Sequence, residues 1–439
     1  MAKEFETLKG THDYLPHEQM LREHIKDILK KNFVKYGFPA AETPIVCMLD
    51  LLTSKYSADA DILDEIYQLS DQGERALGLR YDLTICLTKL ISSNRGITLP
   101  FKRHEIGRVY RDGPVKLGRN REFTQCDVDA VGISSMLQEA EFMNLTHHAY
   151  KDLGLEVEIL YNNRKLLYGL IIETLGQMDE ESLRKCIMLV DKLDKMTKEA
   201  LAKEFAELGF GADKFENLYA TFSMTYDEIK DKYKDSEVEL LQEGLKELDE
   251  LHALTANTDA NESMAFKPFL ARGIDIYTST VWEIFLKDRV VNGHEFNVSL
   301  GGGGRYDKII GTFIDDGNEY PAIGMSFGLD VIYEVLKAKS EGENQPLVDL
   351  FIIPMDTQVP SFILAENLRK LGLKVEIEKV DRRVKKSMNY ANKEGIPFVT
   401  VIGGNEIEKG QIYIKQMETG VEMIKNIDDY EGIFKFITE

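Results

Sequence analysis

One ten-residue stretch, Glu122-Phe123-Thr124-Gln125-Cys126-Asp127-Val128-Asp129-Ala130-Val131, limits the folds open to this chain more than any other. Its composition reads as a β-strand, and side chains alternate faces along a strand. Thr124, Cys126, Val128 and Ala130 then share a mostly apolar face, and Phe123, Gln125, Asp127 and Asp129 share the other. An amide and two carboxylates on one strand face are unfavourable inside a protein unless they meet polar partners. The loop before the strand carries Arg111, Arg119 and Arg121. Guanidinium groups grip phosphate oxygens in a fork, whereas carboxylates and amides suit a cationic or hydrogen-donating ligand. Two readings stand side by side on these residues: a polar ligand site, or a solvated edge hairpin with surface ion pairs.

The hydrophobic pattern divides the rest of the chain. Leu21, Ile25, Ile28, Leu29 and Phe33 recur at helical spacing over residues 17–34, and Ile45-Val46-Cys47-Met48 reads as a short strand. Residues 101–132 read as strand, loop and strand. From 166 to 255 the chain is rich in Lys, Glu and Leu, with Val238, Leu241, Leu245 and Leu248 forming one stripe, which predicts a helical insertion. Residues 255–261 read as a loop, strand-like sequence resumes over 265–330, and 340–346 reads as a linker. The last segment alternates strand (349–353), helix (359–371), strand (374–380), helix (from about 383) and strand (398–402), the sign of parallel β-α-β units.

Two further constellations carry chemical potential. Ala271-Arg272-Gly273-Ile274-Asp275-Ile276-Tyr277 lies in strand-like sequence, where Arg272 and Tyr277 would face opposite sides unless a bulge or turn intervenes. A structural Arg–Asp pair within a sheet is the competing reading. The run Gly301-Gly302-Gly303-Gly304-Arg305-Tyr306-Asp307 lacks the spacing of a P-loop or of a dinucleotide fingerprint, yet it lets another segment approach the backbone closely. The eight histidines show no metal-ligand spacing, so no protein-held metal is expected. Cys86 and Cys126, with apolar neighbours, read as core residues. Four well-separated cysteines without a CxxC pair, and an N-terminus without an apolar signal core, predict a cytoplasmic protein. No stretch reaches the length of a membrane span.

The 439 residues carry 54 Lys and Arg against 75 Asp and Glu, a net charge of −21. That excludes a general polyanion binder but not one local nucleic-acid contact. From residue 345 onward about 13 basic residues face 15 acidic ones, so most of the negative charge lies upstream. The densest basic run is Arg382-Arg383-Val384-Lys385-Lys386, whose alternative is a solvated helix face.

Taken in order, these segments resemble the histidyl-tRNA synthetases, a family of class II aminoacyl-tRNA synthetases. Lys9-Gly10-Thr11-His12-Asp13-Tyr14-Leu15-Pro16 resembles the family's opening segment, and the helix after it with Thr43-Pro44 resembles motif 1. Leu79 to Thr84 resembles the loop that holds the substrate's amino group. Residues 107–132 resemble motif 2, and Pro321 to Leu329 resembles motif 3. Arg272 to Glu283 and Leu300 to Asp307 resemble the two histidine-specific boxes, the most specific signals of the set. The sequence departs from the family pattern at Gly113, Ile276 and Ser279, and at Val331, which stands where motif 3 carries an arginine.

The resemblance implies an α+β fold. A class II catalytic domain, an antiparallel sheet flanked by helices, would span 1–165 and 262–339. A helical insertion would occupy 166–261, and a C-terminal α/β anticodon-binding domain 345–439. It implies ligation of L-histidine to tRNA(His) through histidyl-adenylate, with ATP as substrate, Mg2+ expected with it, and a homodimer assembled through motif 1. Arg272 and Arg111 would be catalytic, and Arg111, Arg119 and Arg272 would bind ATP. Asp82, Thr84, Gln125, Asp129, Tyr277 and Tyr306 would bind histidine. The alternative in the same resemblance is a non-catalytic, histidine-binding regulatory paralogue like the regulatory subunit of ATP phosphoribosyltransferase.

Overall fold

The structure, a computed structural model, describes every residue except 1–4, 55–60, 95, 117, 273–275, 316, 341–345, 381 and 439. Part of the expected linker (341–345) and the centre of the Arg272 box (273–275) therefore lie outside the described residues. The chain divides into two compact units, Met1–Asp13 with Arg22–Lys339 and Tyr14–Leu21 with Ser340–Glu439.

Helix α1 (Pro16–Lys35), in the first unit from Arg22 onward, buries Arg22, Ile25, Leu29, Asn32 and Phe33; Ile25, Leu29 and Phe33 belong to the stripe read from the sequence, whereas Leu21 and Ile28 are only partly buried. It ends where Gly37 takes a positive φ of 75° and Phe38 N–H bonds back to Phe33 C=O at 3.0 Å, closing a Schellman-type turn. A small antiparallel sheet follows, β1 (Val46–Met48), β2 (Gln68–Ser70) and β3 (Ala76–Leu79), in the order β1-β3-β2. Helices α2 (Leu49–Thr53), α3 (Asp61–Asp64) and α4 (Thr84–Ser93) accompany it.

The main sheet has seven strands: β4 (Phe101–Tyr110), β5 (Glu122–Val131), β6 (Val157–Asn163), β7 (Met264–Phe266), β8 (Thr280–Leu286), β11 (Gly301–Arg305) and β12 (Ala322–Gly328). Their order is β4-β5-β12-β11-β8-β6-β7, antiparallel throughout except for the pair β6·β7. A two-stranded ribbon, β9 (Val290–Val291) with β10 (His294–Glu295), lies between β8 and β11 in sequence. One face of the sheet is apolar and packs on helices. Phe33 of α1 and Tyr150 of α5 (Leu137–Asp152) meet Phe327 with ring centroids 5.4 Å apart, and Phe142 meets Trp282 at 5.8 Å. Burying each such side chain contributes about 1.5–3 kcal/mol. The opposite face is polar and lines the site described below.

Residues 164–255 hold six helices and no strand among the described residues: α6 (Arg164–Leu175), α7 (Glu180–Val190), α8 (Lys198–Glu207), α9 (Ala212–Thr221), α10 (Tyr226–Tyr233) and α11 (Glu239–Thr255). Side-chain caps start four of them, from Asn163, Asp179, Thr197 and Thr225, the last in a reciprocal box with Glu228. Leu241, Leu245 and Leu248 are buried in α11, whereas Val238 is its N-cap. Helices α6 and α11 touch through glycine: a Cβ on Gly169 would lie 2.5 Å from Leu241 Cα. Helices α12 (Ile309–Ile314) and α13 (Leu329–Lys339) complete the unit.

The second unit holds a five-stranded sheet in the order β14-β13-β15-β16-β17. The strands are β13 (Leu350–Pro354), β14 (Val375–Ile377), β15 (Phe398–Ile402), β16 (Gln411–Gln416) and β17 (Glu422–Asn426). β13 runs parallel to β14 and β15, as the alternation of strand and helix predicts, and an antiparallel meander extends from β15 through β17. Helices α14 (Gln358–Lys370) and α17 (Tyr430–Thr438) share one core with Leu350, Ile352 and Ile412. Helix α15 (Val384–Lys393) packs on Phe351 and Val399 through the other, and α16 (Gly404–Lys409) follows β15.

Candidate active site

The floor of the site is the polar face of β5. Asp127 is 4% and Asp129 2% exposed, so the solvated-hairpin reading does not apply to these carboxylates. The solvated-hairpin reading applies at the tip, where Arg108 pairs with Glu122 at 3.0 Å and Arg121 with Asp112 at 3.3 Å. Asp129 is held from two sides. Its Oδ1 accepts from the Tyr306 hydroxyl at 2.6 Å, and its Oδ2 from Arg103 Nε at 3.1 Å. Arg103, on β4 and fully buried, also pairs with Glu105 and donates to Leu83 C=O at 2.9 Å. Glu105 in turn accepts from Arg80 Nη1 at 2.8 Å and from the Thr43 hydroxyl at 2.8 Å.

Burial pushes the Asp129 carboxyl above its ordinary value, although Arg103 and Tyr306 pull it down. Burial also raises the Tyr306 phenol well above its ordinary value, with Asp129 adding to the effect. Burial opposes the Arg103 charge, but Asp129 and Glu105 outweigh it, and its pKa is raised. Asp129 has room only because its partner across the ladder is Gly324. A Cβ there would collide with the Asp129 carboxylate and lie 3.1 Å from Tyr306 Oη.

Asp82 and Thr84 sit on the loop that Arg103 grips through Leu83. Asp82 Oδ1 accepts from Ile85 N–H at 2.9 Å and so fixes the first turn of α4, which Thr84 begins. Gln125 Nε2 donates to Ser326 Oγ on β12 at 3.2 Å, and its Oε1 is buried without a hydrogen-bond partner.

Arg272 is not in a strand, which corrects the expectation from the sequence: β8 starts only at Thr280. Arg272 has a φ of 45°, in the left-handed region that non-glycine residues seldom occupy. That turn brings it beside Tyr277, with the guanidinium carbon 5.5 Å from the ring centroid. Its Nη1 donates to Trp282 C=O at 3.1 Å, and its Nε lies 3.5 Å from Glu283 Oε1. The glycine run explains how both side chains fit. A Cβ on Gly302 would lie 3.0 Å from Arg272 Cζ, and one on Gly304 would lie 2.5 Å from Tyr277 Cδ1.

Arg111 stands at the end of the same strand face, its guanidinium carbon 5.1 Å from the Phe123 ring centroid and its Nε donating to Tyr81 C=O at 3.1 Å. Arg119 is not brought into contact with these groups; it pairs with Glu65. Val331 is buried, and the loop of the β4–β5 hairpin reaches it: a Cβ on Gly118 would lie 3.2 Å from Val331 Cγ2. Its neighbour Asp330 accepts from Arg22 Nη1 at 2.6 Å and from Thr124 N–H at 2.7 Å, tying α1 to β5.

Sequence reasoning missed Arg103 and Glu105, which lie opposite Asp129 and Asp127 in the ladder. Their signal was an Arg-x-Glu pair on one face of a strand beside another charged strand face. Ser326, Glu283 and Glu65 carried no such signal. No group of three or more His, Cys, Asp or Glu able to hold a metal ion occurs among the described residues. Cys86 and Cys126 are buried, as expected.

The second unit has a cleft of its own, of about 710 Å³, where Met355 and Asp356 after β13 face Gly403, Gly404 and Asn405 after β15. In a parallel sheet this is the crevice outside the strand ends, at the point where the strand order reverses. Val384 and Met388 of α15 wall it. Arg383, Lys385 and Lys386 on that helix are exposed, whereas Arg382 pairs with Glu378 at 3.4 Å and lies over Tyr390 at 4.5 Å.

The family model of histidyl-tRNA synthetases matches residues 10–332, and that of an anticodon-binding domain matches residues 349–435. A histidine–tRNA ligase 1 of Bacillus cereus is 43% identical over 425 residues, covering 96% of this chain and 97% of its own. A histidine–tRNA ligase of Clostridium tetani is 30% identical over 441 residues, covering 98% and 97%. Among solved structures, the histidyl-tRNA synthetase of Nostoc sp. PCC 7120 superposes with a TM-score of 0.86 at 27% identity, covering 99% of this chain and all of that one. An ATP phosphoribosyltransferase regulatory subunit/histidyl-tRNA synthetase of Bacillus halodurans shares the fold, with a TM-score of 0.76 at 20% identity over 92% of this chain and all of that one.

Proposed function

The chain belongs to the histidyl-tRNA synthetase family, and we propose that the residues described above carry out that family's reaction. The protein joins L-histidine to tRNA(His) in two steps, with ATP as the energy source. The histidine carboxylate attacks the α-phosphate of ATP, pyrophosphate leaves, and histidyl-adenylate forms. A hydroxyl of the terminal tRNA ribose then takes the histidyl group, and AMP leaves.

On this reading Asp82, Thr84 and Gln125 hold the α-ammonium group, and Asp129 accepts from the imidazole inside a pocket closed by Tyr306 and Tyr277. Arg272 and Arg111 stabilise the charge that grows on the α-phosphate; fixed donors of this kind act most strongly where water is excluded. Arg119 serves ATP only after releasing Glu65. Mg2+ accompanies ATP as part of that substrate. The observation that supports the reading is the posture of Arg272, held by a left-handed backbone, the Tyr277 ring and the space left at Gly302.

The domain division belongs to the same proposal, with catalytic parts at 1–165 and 262–339, an insertion at 166–261 and an anticodon-binding domain at 345–439. Matches over 10–332 and 349–435 support it. A homodimer is supported by Ile45, Val46, Met48 and Leu69, apolar side chains exposed on the small sheet next to Thr43. A cytoplasmic location is in keeping with the absence, among the described residues, of any helix long and apolar enough to cross a membrane. The test is histidine-dependent ATP–pyrophosphate exchange on the purified protein. Histidine-dependent exchange is expected; binding of histidine without exchange would favour the regulatory paralogue instead.

A further inference from the structure

Asp127 is the one carboxylate of the β5 face to which the reading above gives no task. It is 4% exposed, and its Oδ1 has no hydrogen-bond partner. A buried carboxylate without a countercharge is among the least favourable arrangements in a protein. The groups facing it come from four elements. Arg103 faces it from β4, Asp129 from its own strand, Asp82 from the loop before α4, and Ser326 from β12 through a hydrogen bond. Tyr306, after β11, lies close enough for its phenol to feel Asp127. The one cation among these, Arg103, is already taken up by Asp129, Glu105 and Leu83 C=O. Burial and the neighbouring Asp129 charge accordingly raise the Asp127 carboxyl well above its ordinary value. Both effects favour the neutral, protonated carboxyl over the charged one.

The orphan acceptors point to what replaces that proton. Asp127 Oδ1 and Gln125 Oε1 are both buried and unpartnered, two residues apart on one strand face, and both side chains converge on Ser326. Asp82, the expected ammonium ligand, is near enough for its charge to add to the rise of the Asp127 carboxyl. We propose that Asp127 is a further specificity-determining residue, a fourth acceptor for the α-ammonium group of histidine beside Asp82, Thr84 and Gln125, and that binding exchanges its proton for a substrate N–H. The balance is simple. The neutral carboxyl gives its proton to solvent buffer, the substrate stays an ammonium ion, and the two form a charge-assisted hydrogen bond. The residue rejects ligands lacking the ammonium group, because they leave the carboxyl protonated and its acceptor unused.

This inference rests on the histidine site proposed above, and its test separates the two. Full-length protein is titrated calorimetrically with histidine, histidinol and imidazole-4-lactate, in buffers of different ionisation enthalpy. The first two ligands carry the ammonium group, and the third carries a hydroxyl in its place. In the wild type, histidine and histidinol should release more protons to buffer than imidazole-4-lactate does. Asp127→Asn should remove that excess and weaken the two ammonium ligands about tenfold or more, the worth of a hydrogen bond to a charged group. It should leave imidazole-4-lactate unchanged. Equal weakening of all three ligands, or unchanged affinity and proton count for histidine, would overturn the role. Should Asp127→Asn fail to fold, the wild-type difference in proton release between histidine and imidazole-4-lactate decides by itself, and its absence refutes the proposal. A wild type that binds no histidine at all would overturn the functional reading and this inference with it.

Discussion

Replacing Gly302 by alanine tests the Arg272 site without removing any group that meets substrate. Gly302 is an ordinary strand residue, paired with Glu283 on one side and Ser326 on the other. The added methyl carbon would lie 2.6 Å from Trp282 C=O and 3.0 Å from Arg272 Cζ. Both contacts are well inside van der Waals separation, and the carbonyl is backbone within the β8–β11 ladder. The arginine is the flexible partner and moves, while the contact with the Trp282 carbonyl has to be taken up by the β8–β11 pairing. The arginine then loses its hydrogen bond to the same carbonyl, which measures 3.1 Å. Overpacking of this size costs about 1–3 kcal/mol of stability. Removing one preorganised charge-stabilising donor costs about 10²–10³ in rate, and a displaced donor should fall near the lower end. Pyrophosphate exchange at saturating histidine and ATP should therefore fall on the order of 10²-fold in Gly302→Ala, with a thermal melt confirming a folded protein. Because both changes act on one guanidinium, adding Gly302→Ala to Arg272→Ala should cost little further rate. A folded Gly302→Ala protein with near wild-type exchange, or full additivity in the double variant, would refute this account of the glycine run.

Tyr306→Phe deletes the 2.6 Å hydrogen bond to Asp129 and should raise the histidine KM several-fold with the ATP KM unchanged, at about 1 kcal/mol of stability; steady-state exchange and thermal unfolding read both. Relative to the wild type, Asp127→Asn should gain stability as pH rises above the ordinary carboxylate range. The folded carboxyl is raised above its unfolded value, so its contribution is full at low pH and is lost as pH climbs towards the folded pKa, and melting curves against pH show the divergence or its absence. Neutralising Arg383, Lys385 and Lys386 should spare pyrophosphate exchange, lower tRNA aminoacylation and flatten the salt dependence of tRNA binding, by up to about 0.7–0.9 in log–log slope for each tRNA phosphate left without its cation. An unchanged slope would remove α15 from the tRNA surface.

Much of the architecture was legible because periodicity reports burial directly. The α1 stripe, the β4–β5 hairpin, the helical stretch and the parallel strands β13 to β15 all follow from it. Of the expected site, Asp129 with Tyr306 and Arg272 with Tyr277 meet as pairs. The failures have physical causes. Ile274, Ile276 and Tyr277 read as strand formers, and nothing in a hydrophobic pattern reports a positive φ at Arg272. Arg103 and Glu105 escaped because charge in a strand reads as solvated, whereas here two neighbouring strand faces neutralise each other in the interior. The β16–β17 meander escaped because the preceding alternation pointed to more parallel units. Gly169 lies within a helix, where a glycine reads as a weakness, until Leu241 is found lying against it.

The strand order has a consequence for synthesis on the ribosome. β5 ends at Val131, but β12, its neighbour on the open side, begins only at Ala322. At translation rates of roughly 5–20 residues per second, the hairpin of β4 and β5 waits some ten to forty seconds with one edge unpaired. An idle edge is an invitation to pair with another nascent chain, and inward-pointing charge is a recognised deterrent. Asp127 and Asp129 supply that deterrent: any foreign strand laid against β5 would have to share its space with two carboxylates, whereas β12 offers Gly324 and Ser326 opposite them. The residues that floor the pocket in the finished molecule are therefore also gatekeepers of the unfinished one.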